Sequence, residues 1–277
     1  MRSSFDVIGQ LPPASPVVLS VPHAGRDYPA ELQDAARVPL GALTVLEDRF
    51  VDSVALAARR DETAIVQRTA RAWIDLNRAE HDRDPRLDDG APAGHLSAKV
   101  RSGLGLVPRR TSASGELWRR RLGGDEVVAR IATAHRPYHE ALSAALCAAR
   151  ARFGVAVLLD IHSMPPIAGS RTRIVIGDRF GRSAEQRFVR RMEALMAAGQ
   201  FAYSLNVPYA GGHILERHSR PRQHIHAIQL ELDRSLYLDG SLDRPGAGFG
   251  RVVALVRAII DALEEEALDQ PTALAAE

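Results

Sequence analysis

The sequence predicts an α/β fold, and three observations predict it. Short apolar runs at 17–21, 64–66, 174–176 and within 155–166 and 225–233, bounded by turn residues, read as strands buried in a sheet. Amphipathic patterns at 124–152, 183–196 and 252–268 read as helices between and after those strands. Three of the apolar runs give way at their C-terminal edge to polar residues, where open α/β sheets bind ligands.

The chain has 277 residues, a length that one α/β domain accommodates, and no repeat or linker divides it, so a single domain over 1–277 is expected. Hydrophobic residues make up 45% and aromatics only 5%, so the core must be built of Ala, Leu, Val and Ile. The net charge of +2 comes almost wholly from arginine on the basic side. The basic pairs and triplets Arg109-Arg110, Arg119-Arg120-Arg121 and Arg190-Arg191 are not interleaved with aromatics, which argues against nucleic acid as a partner. The single cysteine, Cys147, excludes an internal disulfide and a Cys-based zinc site, and reads as a small buried apolar residue. No apolar run reaches ~18 residues, and 1–13 lack a signal-peptide core, so a cytoplasmic protein off the membrane is expected.

Taken in order, 1–15 read as an irregular lead-in. The run 17–21 ends in Pro22-His23-Ala24-Gly25: Pro22 fixes the backbone before the imidazole and Gly25 permits a tight turn after it. In 46–52, LEDRFVD, Asp48 or Asp52 is either a helix cap or a carboxylate brought beside His23. Residues 71–78, RAWIDLNR, alternate apolar and polar and read as a half-buried strand. Arg78 at its end either forks a substrate carboxylate or pairs with Asp75. The stretch 79–115 is polar and rich in Gly and Pro, as a flap near a site would be, with His81 and His95 solvated.

In 124–152, Pro137 should break or kink the helix near Arg136, and His139 reads as a packed helix histidine. The central run, VAVLLDIHSMPP at 155–166, delivers Asp160, His162 and Ser163 to the crevice. A strand is expected at 201–207, followed by Tyr209 and the Gly211-Gly212 pair, which allows close backbone approach to a ligand. In 225–233, Gln229, Glu231 and Asp233 share one face, and a carboxylate in so apolar a strand is costly unless that face opens on a polar site.

The histidines come singly, at the ends of separate strands, and an acidic segment lies between them. Two imidazoles and a carboxylate are the ligand set of an open catalytic zinc site. The set read here is His23, Asp48 and His162, with Glu47, Asp27 and Asp52 as alternative third ligands. Asp160 is placed to orient an imidazole. A second carboxylate must move the proton from water to the leaving amine, and Glu231 is the candidate. The substrate-facing set is Arg71, Arg78, Ser163, Tyr209 and Gly212. No G-x-S-x-G elbow supports a serine hydrolase.

These motifs, VPHAGRDYP, EDRFVD, RAWIDLNR, RPYHEAL, LLDIHS, PYAGGHI and HAIQLELDRSLY, together resemble the N-formylglutamate amidohydrolase family over about 21–237. The resemblance implies a three-layer sandwich with a central mixed, mostly parallel sheet, similar to the zinc carboxypeptidases. It implies Zn(2+), with His23 and His162 as ligands, Glu231 as general base, and Arg78 with Asn77 holding a substrate carboxylate. The expected reaction is hydrolysis of an N-formyl or other N-acyl amino acid, a small-molecule substrate. A homo-oligomer is compatible with this reading. The sequence departs from the pattern in two places: Arg26 stands where a carboxypeptidase-like HxxE would have Glu, and EDRFVD stands where histidine-degrading members resemble DWHVD. A carboxypeptidase-like or γ-glutamyl peptide hydrolase with the same site is the alternative, and a metal-free amino-acid-binding protein a further one.

Overall fold

The continuous apolar runs become the centre of a sheet. A computed structural model describes residues 3–92 and 94–269. In chain order the strands are β1 (Phe5–Ile8), β2 (Val17–Val21), β3 (Thr63–Gln67), β4 (Arg110–Thr111), β5 (Gly115–Glu116), β6 (Ala156–Met164), β7 (Ile174–Gly177), β8 (Tyr203–Leu205) and β9 (Ile225–Asp233). The helices are α1 (Ala30–Ala35), α2 (Leu40–Leu43), α3 (Val51–Ala58), α4 (Ala98–Arg101), α5 (Gly124–Arg130), α6 (Arg136–Phe153), α7 (Gln186–Ala198), α8 (His213–His218) and α9 (Phe249–Leu268).

Seven strands form one mixed sheet in the order β1-β3-β2-β6-β9-β7-β8, and β4 and β5 form a separate hairpin. The central four, β3, β2, β6 and β9, are parallel. β1 joins antiparallel at one edge, and β7 pairs antiparallel with β9 and carries β8 parallel to itself at the other. Helices cover both faces, so the chain is a three-layer α/β sandwich.

The period of two sorts the strands between two cores. Val17, Leu19, Val21, Val157, Leu159, Ile161, Ile228, Leu230 and Leu232 pack with residues of α3, α7 and α9. Val18, Ala156, Leu158, Ile225 and Ala227 pack on the other face with Tyr138, Leu142 and Leu146 of α6. Each fully buried aliphatic side chain contributes about 1.5–3 kcal/mol. On this second face the apolar residues stop partway along the strands. Towards the C-terminal ends it carries Ser20, Asp160, His162, Gln229 and Glu231, with Ser20 paired to Asp160, Asp160 to Gln229 and His162 to Glu231 in register.

Five local expectations are corrected. Residues 5–8 form edge strand β1 rather than a fully irregular lead-in. Residues 71–78 are turns, not a strand: their alternation records Ala72, Ile74 and Leu76 entering the α6-side core, while the Asp75 amide donates to Leu106 O at 2.7 Å. Pro137 does not break the helix, because a π turn, Ile131–His135, joins α5 to α6 and lets the Arg136 amide donate to Ile131 O. Cys147 lies on the exposed side of α6. The strand expected at 201–207 is only the three residues of β8. Among the described residues no helix is long and apolar enough to cross a membrane.

Candidate metal and substrate site

The polar ends of β2, β6 and β9 open on a cavity of about 790 Å³, a normal size for a small-molecule cleft. His23, Asp48, Arg71, Asn77, Arg78, His162, Ser163, Tyr209, Gly212 and Glu231 all line it. The segment 79–115 contributes another wall through Lys99, Ser102, Leu104, Arg110, Thr111 and Ser112.

His23 and His162 are buried, with ring centroids 4.8 Å apart. Both turn Nδ1 towards Asp48 Oδ2, at 3.6 Å from His23 and 3.1 Å from His162. The backbone brings this about, since the Asp48 amide donates to His23 O at 2.9 Å. The far nitrogen of each ring meets its own carboxylate: His23 Nε2 lies 2.8 Å from Asp75 Oδ1, and His162 Nε2 lies 2.9 Å from Asp160 Oδ2. A carboxylate accepts, so in a neutral ring Nε2–H donates and Nδ1 is left as a lone pair. His23 Nδ1 is buried with no hydrogen-bond partner. Two imidazole lone pairs and a carboxylate oxygen thus converge on one another, and their repulsion calls for a cation between them. A divalent ion fits this donor set, the carboxylates behind the rings being the usual outer support of metal-binding histidines.

Of the carboxylates weighed as third donor, Asp48 is the one that faces both rings. Glu47 is engaged by Tyr28 and Arg49, Asp52 by Arg26, and Asp27 is exposed. Asp48 caps no helix: α3 begins after Phe50, which caps it without a side-chain bond. Burial alone would raise the Asp48 pKa, yet the positive charge that the facing His162 and His23 rings can carry holds it well below the usual carboxylate range. Burial would lower the His162 pKa, but Asp160 and Asp48 drive it well above the ordinary imidazole value: the two carboxylates favour positive charge here, which a metal ion at Nδ1 would supply in place of a second ring proton. Asp160 is itself fixed by Ser20 Oγ, which donates to Oδ1 at 2.6 Å.

Glu231 stands beside His162 across the β6–β9 register and accepts from Gln229 Nε2 at 3.1 Å. Burial, with Asp48 nearby, pushes its pKa up to about 7 against the pull of His162 and Arg71. A carboxyl poised there exchanges protons readily near neutral pH.

The cationic wall is braced by one buried carboxylate. Arg71 Nη2 lies 2.8 Å from Asp75 Oδ2 and Arg78 Nη2 3.8 Å from it, while Arg78 also donates to Leu104 O and Asn77 O. The structural pair weighed for Arg78 and Asp75 is therefore present, and both arginines still face the cavity. Asn77 Oδ1 accepts from the Ile214 amide at 2.9 Å, at the start of α8. A Cβ on Gly212 would sit 2.4 Å from that oxygen, so Gly212 is what permits the approach. Ser163 Oγ accepts from Arg234 Nε at 3.2 Å.

Behind this wall lies a second histidine group. His139 Nε2 donates to Leu76 O at 3.0 Å and His135 Nε2 to Arg78 O at 2.8 Å, one on each side of Asn77. His139 Nδ1 meets His218 Nε2 at 2.8 Å. His139 is thus a packed helix residue, outside the cavity lining, while His81 and His95 are exposed.

Two contacts were not legible beforehand. Asp75 was read as a partner of the arginines, and nothing in the sequence tied it to His23. Arg234, whose Nη2 lies 3.4 Å from Asp48 Oδ1, directly follows β9, and its place at a strand's C-terminal edge was the available signal.

The profile of the N-formylglutamate amidohydrolase family matches residues 15–238. The chain is 27% identical over 259 residues to an N-formylglutamate deformylase of Pseudomonas aeruginosa, covering 91% of this chain and 92% of that protein. It is 29% identical over 230 residues to one of Pseudomonas putida, covering 81% and 82%. Its fold matches the crystal structure of an N-formylglutamate amidohydrolase from Ralstonia eutropha with a TM-score of 0.85 and 29% identity, over 96% of this chain and 98% of the other.

Proposed function

The chain belongs to the N-formylglutamate amidohydrolase family, and from that premise we propose that it is a zinc-dependent hydrolase converting N-formyl-L-glutamate and water to formate and glutamate. The observation that carries the metal half of this reading is the convergence of His23 Nδ1, His162 Nδ1 and Asp48 Oδ2, each ring held from behind by a carboxylate. The substrate half rests on the relatives named above and on a cavity whose wall is cationic.

In this reading His23, Asp48 and His162 hold the zinc ion, which when bound supplies Lewis-acid activation of a carbonyl and of water. Arg78 and Asn77 receive the α-carboxylate, with Arg71 adding positive charge and Tyr209, Ser163 and Gly212 bounding the rest of the substrate. This places the formyl group between the metal-binding residues and Glu231. Glu231 takes a proton from the attacking water and delivers it to the amide nitrogen as the C–N bond breaks, so that glutamate leaves as the amine. Asp75 and Asp160 keep the imidazole rings in the tautomer that presents Nδ1. Lys99, Ser102, Leu104, Arg110, Thr111 and Ser112 form one wall of the cavity.

The test is formate release from N-formyl-L-glutamate together with metal analysis. Glu231→Gln should lower kcat by about 10²–10⁴-fold while metal content is unchanged. Protein that carries no divalent ion and gains nothing from added zinc would overturn the metal assignment. Release of a free C-terminal amino acid from peptides, without formate from the formyl compound, would overturn the substrate assignment.

A further inference from the structure

Five cationic side chains face the cavity, and they are not equally occupied. Arg71 and Arg78 share Asp75, and Arg234 is turned to Asp48 and Ser163. Lys99 and Arg110 have no acidic partner among the described residues. Both come from the 79–115 segment, and Lys99 is the only lysine in a chain with 36 basic residues.

Their placement is built into the backbone. Lys99 lies on α4, whose end turns at Gly103 in the left-handed region, at φ 84°. The amides of Arg109 and Arg110 both donate to Gly103 O, at 2.8 and 3.3 Å, and the Leu104 amide donates to Lys99 O at 2.9 Å. A Cβ on Gly103 would come within 2.3 Å of Arg110 Cγ, so the arginine stem lies across the glycine. These bonds bring Lys99 and Arg110 to the same wall. Lys99 is also close enough to Arg78 and Arg71 that burial and their charges lower its pKa against the pull of Asp75 and Glu231. Cations gathered this way repel one another unless an anion lies between them.

We propose that Lys99 and Arg110 form a second carboxylate subsite, one that reads the side-chain carboxylate of the substrate and selects acidic N-acyl amino acids over neutral ones. The proposal rests on the reading above that an N-formyl amino acid fills the cavity with its α-carboxylate at Arg78. One carboxylate then sits at the Asp75-braced arginines and the other at the unpaired pair.

The experiment compares kcat/KM for N-formyl-L-glutamate and its neutral isostere N-formyl-L-glutamine in the full-length, zinc-loaded protein. The wild type should prefer the glutamate compound by about 10–100-fold, the range of a charge-assisted hydrogen bond. The double variant Lys99→Met/Arg110→Met should lose that preference, through a raised KM for N-formylglutamate and a much smaller change in KM for N-formylglutamine. Lys99→Arg, which keeps the charge, should retain it. A wild type indifferent between the two substrates, or a double variant that loses equally on both, overturns the subsite while leaving the deformylase reading standing. A wild type that hydrolyses neither overturns that reading and the subsite with it.

Discussion

Histidine is used twice in this molecule, in opposite surroundings. At the ends of β2 and β6, the Nε2 atoms of His23 and His162 meet the carboxylates of Asp75 and Asp160. On the π turn and α6, the Nε2 atoms of His135 and His139 meet the backbone carbonyls of Arg78 and Leu76. A carboxylate brings a full charge, and it drives the His162 pKa up in spite of burial. A carbonyl brings only a dipole, which does not offset burial. The His135 and His139 pKa values fall below the ordinary range, with His213 at about 4 and His218 at about 3. The partner of the far nitrogen therefore sets which way the pKa of a buried imidazole moves. The two groups also depend on each other: the neutral wedges grip the carbonyls on both sides of Asn77, in the turn that carries Asp75 to His23.

The largest effect should come from breaking each group in turn. His162→Asn removes a donor from the candidate metal centre, and several kcal/mol of transition-state stabilisation go with the ion. A fall in kcat/KM of about 10³-fold or more is expected, with the unfolding midpoint little changed. His139→Asn should do the reverse, destabilising the fold by about 1–3 kcal/mol through the stranded Leu76 carbonyl and His218 nitrogen. Its activity should drop less than about tenfold by the same logic of an indirect role. Urea unfolding and steady-state kinetics on both variants decide this. Matching profiles for the two substitutions would erase the distinction between the groups.

Acid provides a second, smaller perturbation of the same contrast. The unfolded chain protonates its histidines near pH 6.5, whereas folded His213 and His218 resist until about 4 and about 3. Below pH 6.5 the unfolded state therefore binds more protons. The stability contributed by the neutral cluster is fully present above that pH and declines as pH falls towards the folded values. A loss on the order of a few kcal/mol is expected between pH 6.5 and 4.5, above the range in which most carboxylates of the unfolded chain titrate. Urea midpoints measured across this interval on metal-loaded protein check it. His218→Gln should flatten the slope, and an unchanged slope in that variant would remove the cluster from the explanation.

How far this architecture could be read beforehand depended on whether a residue's partners lay in its own element. The strands at 17–21 and 225–233 were legible to the residue because a strand buried on both faces needs an unbroken apolar run. The same rule hid β1, an edge strand of four residues among polar neighbours. It also misread 71–78, whose alternation reflects burial against α6 and not pairing with another strand. His23, His162 and Glu231 stood out as polar residues at the ends of apolar strands. Asp75 did not stand out as a partner of His23, because that contact joins two turns 52 residues apart and no local pattern encodes it. Lys99 and Arg110 were lost in a loop whose path is set by Gly103 and a few backbone bonds.

The finest probe of the comparison is to weaken the carboxylates without removing the imidazoles. Asp160→Asn and Asp75→Asn each replace a charged acceptor by a neutral one behind a candidate ligand, and each should lower zinc affinity by about 10–100-fold. The two should nonetheless differ. Asp160 serves His162 and accepts from Ser20, and both contacts lie on the sheet. Its loss should therefore appear in metal affinity, with KM for N-formylglutamate nearly unchanged once zinc is saturating. Asp75 also holds Arg71 and accepts from the Asn77 amide at 2.9 Å. Its loss should lower zinc affinity and raise KM together, since one carboxylate orients the ring through Oδ1 and the cationic wall through Oδ2. Competition with a chelator gives the affinities, and kinetics at saturating zinc give KM. If Asp75→Asn alters zinc affinity alone, the turn presents its arginines without help from that carboxylate, and the coupling drawn between the two histidine groups through this turn is wrong.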